Sequence, residues 1–279
     1  MITPKHRSLL KWAGGKKKLV SDIHHLLPKR KRTRLIEPFV GGGSVFLNLD
    51  FDEYLLMDTN ADLINLFNII KTDCTQFINS AKRLFVASNN TPESYYALRQ
   101  IFNSSSVPME RACLFLYLNR HGYNGLCRYN KSGGYNVPFG RYKNPYFPED
   151  EIVFFAKKAQ RATFIQGDFA EAFAQAKATD MIYCDPPYAP VKQISNFTAY
   201  AGNQFGPDEQ RRLVQATENI ASQGTIVLIS NHDVPFTREI YQKADKIHKL
   251  SVHRSISRKG QERVKVDEMM ALYKKKRKI

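Results

Sequence analysis

The sequence predicts an α/β fold: a parallel, doubly wound sheet carrying a helical insertion near its middle. Three observations predict it. Five short apolar runs each end on an acid, an amide or a glycine turn. Helical patterns alternate with those runs, as crossovers between parallel strands require. Between Asp58 and about Ala162 the alternation gives way to consecutive helical segments.

In chain order, Leu19, Ile23 and Leu26 share one helical face ahead of Pro28. "TRLIEPFVGGGS" is a strand that ends in a glycine turn and opens a helix at Ser44. "EYLLMDTN" is a strand ending at Asp58. Four helical segments follow: "NADLINLFNIIKTD", "TQFINSAKRLFV", "PESYYALRQIFN" and "MERACLFLYLNRH". Thr91-Pro92 reads as a cap followed by proline at the first helical position. After Gly122 the chain is dense in Gly, Asn, Tyr and Arg, and Lys131-Ser132-Gly133-Gly134 reads as a hairpin tip. The expected division is a main domain of residues 1–60 and 149–279, with an inserted subdomain over 61–148 whose hairpin lies near 123–142. Downstream, "ATFIQGDF" is a strand ending at Asp168, and "DMIYCDPPY" is one ending on Asp185-Pro186-Pro187-Tyr188. A helix is expected over Pro207 to Ser222, then a strand, "GTIVLISNHD", ending at Asn231-His232-Asp233. The terminal "KKKRKI" reads as a solvated basic tail.

Composition narrows the partners. Lys plus Arg number 42 against 26 Asp plus Glu, a net charge of +16 over 279 residues. Such an excess repels itself, so it points to an anionic partner, nucleic acid first. A membrane surface is disfavoured because no strongly amphipathic basic helix is evident. No apolar run has the length of a bilayer span, and "MITPKHRSLLKWAGGKK" lacks the apolar stretch of a signal peptide. The four cysteines are far apart, with no C-x-x-C pair, so neither a zinc site nor a disulfide framework is suggested. A soluble, intracellular protein with no metal is expected.

The strand ends are where ligands bind in such sheets. Glycines in the turn at Phe39 to Gly43 let a ligand approach the backbone, although a purely structural turn has the same composition. Asp58, about twenty residues on, can accept both hydroxyls of a ribose. No Walker lysine follows the glycines, so the ligand implied is a nucleoside without a polyphosphate. Asp185-Pro186-Pro187-Tyr188 is either a strand-ending turn or a set of chemical tools. Two adjacent prolines donate no ladder hydrogen bond, so the strand must stop there.

S-adenosylmethionine is a nucleoside of that kind. F-x-G-x-G at Phe39 to Gly43 followed by D-P-P-Y at 185 to 188 resembles the amino-methyltransferases of DNA bases. With "LKWAGGK", "EPFVGGGSVFLN", "YLNRHGYNGLCRYN", "NVPFGRYKNPYFP", "CDPPYAP", "NFTAY" and "LISNHD", nearly the whole chain resembles the Dam-type DNA adenine-N6 methyltransferases, which act on GATC. The resemblance implies a class I, Rossmann-like fold with an inserted DNA-recognition subdomain, and S-adenosylmethionine as cofactor. It implies double-stranded DNA containing GATC as partner, no membrane partner, and a bacterial or phage-encoded, cytoplasmic, nucleoid-associated enzyme. A monomer is expected, of which more than one copy can sit on a DNA.

By that resemblance Asp185, the Pro186 carbonyl and Tyr188 are the catalytic set. The first two accept the amine hydrogens of adenine, and Tyr188 stacks on a flipped base. Trp12, Lys16, Phe39, Gly41, Asp58, Asp168, Phe169 and Asp185 would line the cofactor site. A lone Trp is often core, and Asp168 also suits a helix start. Lys11, Tyr123, Asn124, Leu126, Arg128, Pro138, Arg141 and Tyr142 would meet DNA. In that set Arg128 reads a guanine edge, Leu126 and Pro138 touch a thymine methyl, and Tyr123 and Asn124 flank the flipped base. Arg254, Arg258, Lys259, Arg263 and Lys265 suit phosphate neutralisation. His232 reads as packing or hydrogen bonding. A cytosine-N4 enzyme of the same family, or a DNA-binding scaffold that has lost catalysis, would share most of these residues. A cytosine-C5 enzyme needs a Pro-Cys pair, and a zinc deaminase needs H-x-E with P-C-x-x-C; neither is present.

Overall fold

The computed structural model describes residues 6–27, 33–190, 205–250 and 267–275. Helix α1 (Val20–Leu26) buries Val20 and Ile23. Strand β1 (Arg34–Glu37) stops at Pro38, and α2 (Ser44–Asn48) starts after Gly43, whose φ is +70°. Strand β2 (Glu53–Asp58) leads into α3 (Ala61–Thr72), capped by the Asn60 side chain accepting from Leu63 N at 3.0 Å. Helices α4 (Cys74–Lys82), α5 (Pro92–Ser104) and α6 (Pro108–His121) follow. Thr91 caps α5 and Pro92 is its first residue, as the sequence predicts.

Helix α7 (Glu149–Ala159), absent from the sequence reading, has an acidic first turn and packs its apolar face, including Phe155, toward α3 and β3 (Ala162–Gln166). Strand β3 ends at Gln166 rather than at Asp168, because Asp168 is the cap of α8 (Phe169–Ala174). Then come β4 (Met181–Cys184), α9 (Pro207–Ser222), β5 (Ile226–His232), α10 (Pro235–Ile240), β6 (Lys246–Leu250) and β7 (Glu268–Tyr273).

The strands run in the order β3-β2-β1-β4-β5-β7-β6. The β2–β3, β1–β4 and β4–β5 pairs are parallel, and β7 lies antiparallel between β5 and β6. This is the class I methyltransferase arrangement. Strands β4 and β5 are buried on both faces, so they read as continuous apolar runs. The polar "KIHKL" of β6 is an edge strand, which is why its apolar pattern is weak in sequence.

By contact density the chain divides into two compact units. One comprises residues 1–29 and 40–166 and carries β2, β3 and helices α1 to α7; the other comprises 30–39 and 167–279 and carries the remaining strands and helices. In the first unit an aromatic core of Phe46, Phe67, Phe155 and Phe164 packs around α3 and α7. Pro28, "NFTAY" (196–200), the five cations Arg254, Arg258, Lys259, Arg263 and Lys265, and the last four residues lie outside the described residues.

Candidate active site

Asp58 ends β2 and ties three pieces of the first unit together. Its Oδ2 accepts from Gly41 N at 3.0 Å and its Oδ1 from Asn60 N at 3.0 Å. Burial raises its pKa above the ordinary carboxylate value, while the amides of Asn60, Gly41 and Thr59 pull the other way. Each carboxylate oxygen keeps a second acceptor direction, which suits a ribose diol.

The glycine turn serves the protein's own tryptophan. A Cβ on Gly41 (φ +46°) would sit 2.7 Å from Trp12 Nε1, and one on Gly42 would sit 2.9 Å from Trp12 Cβ. Trp12 therefore packs on the turn, half-buried, and both glycines are required by that contact. Lys16 is buried, and its Nζ donates to Gly14 O at 2.7 Å, folding back on its own loop.

The DNA-facing candidates of this unit form one surface. Tyr123 N donates to Pro138 O at 2.8 Å, and Asn124 N donates to Tyr142 Oη at 3.0 Å. Lys11 Nζ lies 3.7 Å from the centre of the Tyr142 ring. Asn119, buried near the end of α6, accepts from Lys11 N at 2.8 Å and donates to Lys11 O at 2.7 Å and Gly125 O at 3.2 Å. Lys11 Nζ also donates to Arg120 O at 3.1 Å, and burial lowers its pKa, with the Arg120 charge adding to the shift. Asn124 and Arg141 both take φ +54°, the left-handed region, and turn the chain at either side of this surface. Arg128 is exposed and held in place by Asn136, from Nε to Oδ1 at 2.7 Å and from Nη2 to the backbone O at 3.1 Å. Leu126 is half-buried, its carbonyl accepting from Tyr135 Oη at 2.9 Å.

Where the sequence predicts the hairpin tip, a turn runs from Asn130 to Gly134, and Gly122–Phe139 and Tyr129–Tyr135 are antiparallel bridges without a continuous ladder. Pro138 has no N–H to donate, and helix α5 adds support. Tyr95 Oη and Arg99 Nη1 both donate to Val137 O, at 3.0 and 2.9 Å, and Asn103 brackets the Tyr135 backbone at 2.8 and 3.1 Å. Beneath the loop, Asp62 accepts from Arg111 and from Tyr129 Oη, each at 2.7 Å.

In the second unit β4 delivers Asp185, half-buried, to a turn whose Pro186 is buried. The Asp185 charge adds to burial in raising the pKa of Tyr183 and Cys184, both inside the sheet. Tyr188 Oη lies 3.3 Å from Glu268 Oε2, and the ring meets His232 edge-on at 4.8 Å. His232 Nδ1 donates to Ala189 O at 2.7 Å, so it packs and bonds as the sequence predicts. Gln210 Nε2 donates to Pro187 O at 2.7 Å, and Ala189 N donates to Asn231 Oδ1 at 3.0 Å.

Phe39, Phe169 and Phe205 form an aromatic group with centroids 5.3 to 6.0 Å apart. Asp168 caps α8 through Ala170 N at 3.0 Å, with Glu171 completing the box, and receives Arg212 on both oxygens at 2.8 Å. The Arg212 guanidinium holds its carboxyl below the usual range. In the first unit the Asp58 carboxylate suits hydroxyls, and in the second the Phe39, Phe169 and Phe205 rings offer aromatic faces. Among the described residues no cluster of three or more His, Cys, Asp or Glu is placed to hold a metal ion, and no helix is long and apolar enough to cross a membrane.

The sequence reading missed Asn119, Asn231, Gln210, Arg212 and Glu268. Asn231 had a signal, since a buried strand ending on a polar residue is marked out; Asn119, Gln210 and Arg212 sit on unremarkable positions of helices, and Glu268 opens β7, a strand the sequence did not mark.

Residues 12–256 match the family model described as D12 class N6 adenine-specific DNA methyltransferase. The chain is 54% identical over 270 residues to a DNA adenine methylase of Vibrio cholerae serotype O1, covering 96% of each chain. It is 53% identical over 270 residues to the DNA adenine methylase of Escherichia coli K12, covering 97% of this chain and 96% of that one. It is 53% identical over 271 residues to the Haemophilus influenzae protein of the same name, covering 96% and 94%.

Proposed function

The chain belongs to the D12 class of N6 adenine-specific DNA methyltransferases, S-adenosylmethionine-dependent enzymes, and from that premise we propose that it methylates the adenine of GATC in duplex DNA after flipping it from the stack. Bound S-adenosylmethionine supplies a sulfonium-activated methyl group. The task of the protein is to make a poor nucleophile reactive, because the lone pair of the adenine amine is delocalised into the ring.

Asp185 accepts one amine hydrogen and the Pro186 carbonyl accepts the other, which turns the lone pair out of the ring plane. Proline at 186 and 187 locks φ, so the acceptors are set before substrate arrives. Tyr188, tethered through Oη and flanked by His232, offers its ring to the base, worth about 1–3 kcal/mol of stacking. That offsets the few kcal/mol of unstacking. Transfer is in line, with no covalent bond between enzyme and base, so positioning carries the rate.

Asp58 is assigned to the ribose hydroxyls, Trp12 and Lys16 to the walls beside the glycine turn, and Phe39 and Phe169 to the adenine of the cofactor. The aromatic trio with Phe205 and the acceptor directions left on Asp58 support these assignments. Asp168 is assigned to the cofactor as well, from its place at the start of α8. Residues 61–148 are assigned as the recognition insertion. There Arg128 reads one guanine, Leu126 and Pro138 a thymine methyl, Tyr123 and Asn124 flank the flipped base, and Lys11, Arg141 and Tyr142 hold the flanks.

The observation that carries this reading is the tethered Asp185–Tyr188 turn at the end of β4. Transfer of labelled methyl to two short duplexes, one with GATC and one with a single base of it changed, tests it. Label confined to the GATC adenine is expected. Label in both duplexes refutes the site, and label in neither refutes the activity.

A further inference from the structure

Gln210 and Asn231 touch neither substrate nor cofactor in this reading, yet both grip the turn that presents the amine acceptors. Asn231, fully buried at the end of β5, uses its whole amide. Its Oδ1 accepts from Ala189 N at 3.0 Å and His232 N at 2.9 Å, and its Nδ2 donates to Gln210 Oε1 at 3.1 Å and Tyr241 Oη at 3.0 Å. Gln210, buried in the first turn of α9, donates its Nε2 to Pro187 O at 2.7 Å. Three backbone groups around Tyr188 are therefore held by side chains: the carbonyls of Pro187 and Ala189 and the N–H of Ala189.

The sequence makes such handles necessary. Pro186 and Pro187 have no N–H, so over those two residues the turn can be hydrogen-bonded only through its carbonyls. Gripping the Pro187 carbonyl sets the peptide plane next to the one whose carbonyl faces the amine. If α9 and β5 only had to pack, apolar residues of similar size would do it without the cost of burying amides.

We infer that Gln210 and Asn231 are positioning residues for methyl transfer, holding the Pro186 carbonyl and the Tyr188 ring at the orientation that adenine N6 requires. The inference rests on the assignment of Asp185 and Pro186 as the acceptors. Misplacement by about 1 Å costs on the order of a hundredfold in rate. Loss of one of the two handles is therefore expected to cost about tenfold to a hundredfold.

Gln210→Leu and Gln210→Glu in the full chain test it, with single-turnover methyl transfer, cofactor and DNA dissociation constants, and thermal melting measured for each. Gln210→Leu is expected to slow single turnover while both dissociation constants stay at the parent values. In Gln210→Glu the ionised carboxylate repels the Pro187 carbonyl, whereas the protonated acid donates to it as the amide did. Its rate relative to the parent is therefore expected to rise as pH falls through the pKa of the buried acid. A parental single-turnover rate in folded Gln210→Leu overturns the inference. If Gln210→Leu loses its melting transition, the pH profile of Gln210→Glu decides, and a pH-independent ratio overturns it. Asp185→Ala run alongside separates the two levels. Transfer retained there overturns the acceptor assignment itself, while transfer abolished there with Gln210→Leu unaffected overturns only the positioning role.

Discussion

Gly41→Ala strikes the contact on which the glycine turn depends. The new Cβ would lie 2.7 Å from Trp12 Nε1 and 3.1 Å from Cδ1, and an indole has no flexible end to withdraw. The residue sits at φ +46°, where an L side chain costs about 1 kcal/mol over glycine. Overpacking against a rigid ring adds about 1–3 kcal/mol, for a total of about 2 to 4 kcal/mol. The 3.0 Å bond from Gly41 N to Asp58 is strained in the same movement, so weaker cofactor binding accompanies the loss of stability. Trp12 is the one tryptophan of the chain, which makes its fluorescence a direct reporter of this contact. Denaturant unfolding followed by that emission should show a lower midpoint and an altered native spectrum. A midpoint within about 0.5 kcal/mol of the parent and an unchanged spectrum would refute the packing argument, since surface substitutions stay in that range.

Other predictions concern acid stability and DNA. Burial pushes the pKa of His121 down to about 4 from an ordinary 6.5. Below the ordinary value the unfolded chain takes a proton that the folded one refuses, so stability falls with pH from about 6.5 to about 4, by up to about 3 kcal/mol. His121→Gln should flatten that stretch of the stability curve, and an unchanged slope in urea titrations at several pH values would count against it. Arg128→Ala should relax discrimination at one guanine by about 1–3 kcal/mol and leave other positions alone, read by transfer to a panel of altered sites. A uniform loss across the panel would make Arg128 a phosphate contact instead. DNA affinity should fall steeply with salt given the net +16, and a flat log–log plot would contradict electrostatic docking.

Much of the fold is written locally. The strands that end at Asp58 and Cys184, the cap at Thr91-Pro92 and helix Pro207–Ser222 follow from apolar periodicity and from proline and glycine chemistry, which act over a few residues. The turn Asp185-Pro186-Pro187-Tyr188 was legible for the same reason, because two prolines end a strand wherever it lies. The net charge named an anionic partner without any structure.

What the sequence left open depends on residues that are distant in the chain. Nothing near Gly41 says that its hydrogen faces Trp12, 29 positions away, rather than a ligand alone. Nothing in the 123–142 segment says that α5 braces it through Tyr95, Arg99 and Asn103. Strands β6 and β7 became visible only as an antiparallel pair, since an edge strand such as "KIHKL" has no two-sided burial to mark it. Asp168 could start a helix or face a ligand by composition; its bonds to Ala170 and to Arg212, 44 positions on, engage it at the start of α8. Local chemistry determined where this chain turns. Only tertiary structure decided which side chains hold those turns, because a buried donor takes whichever acceptor folding brings to it.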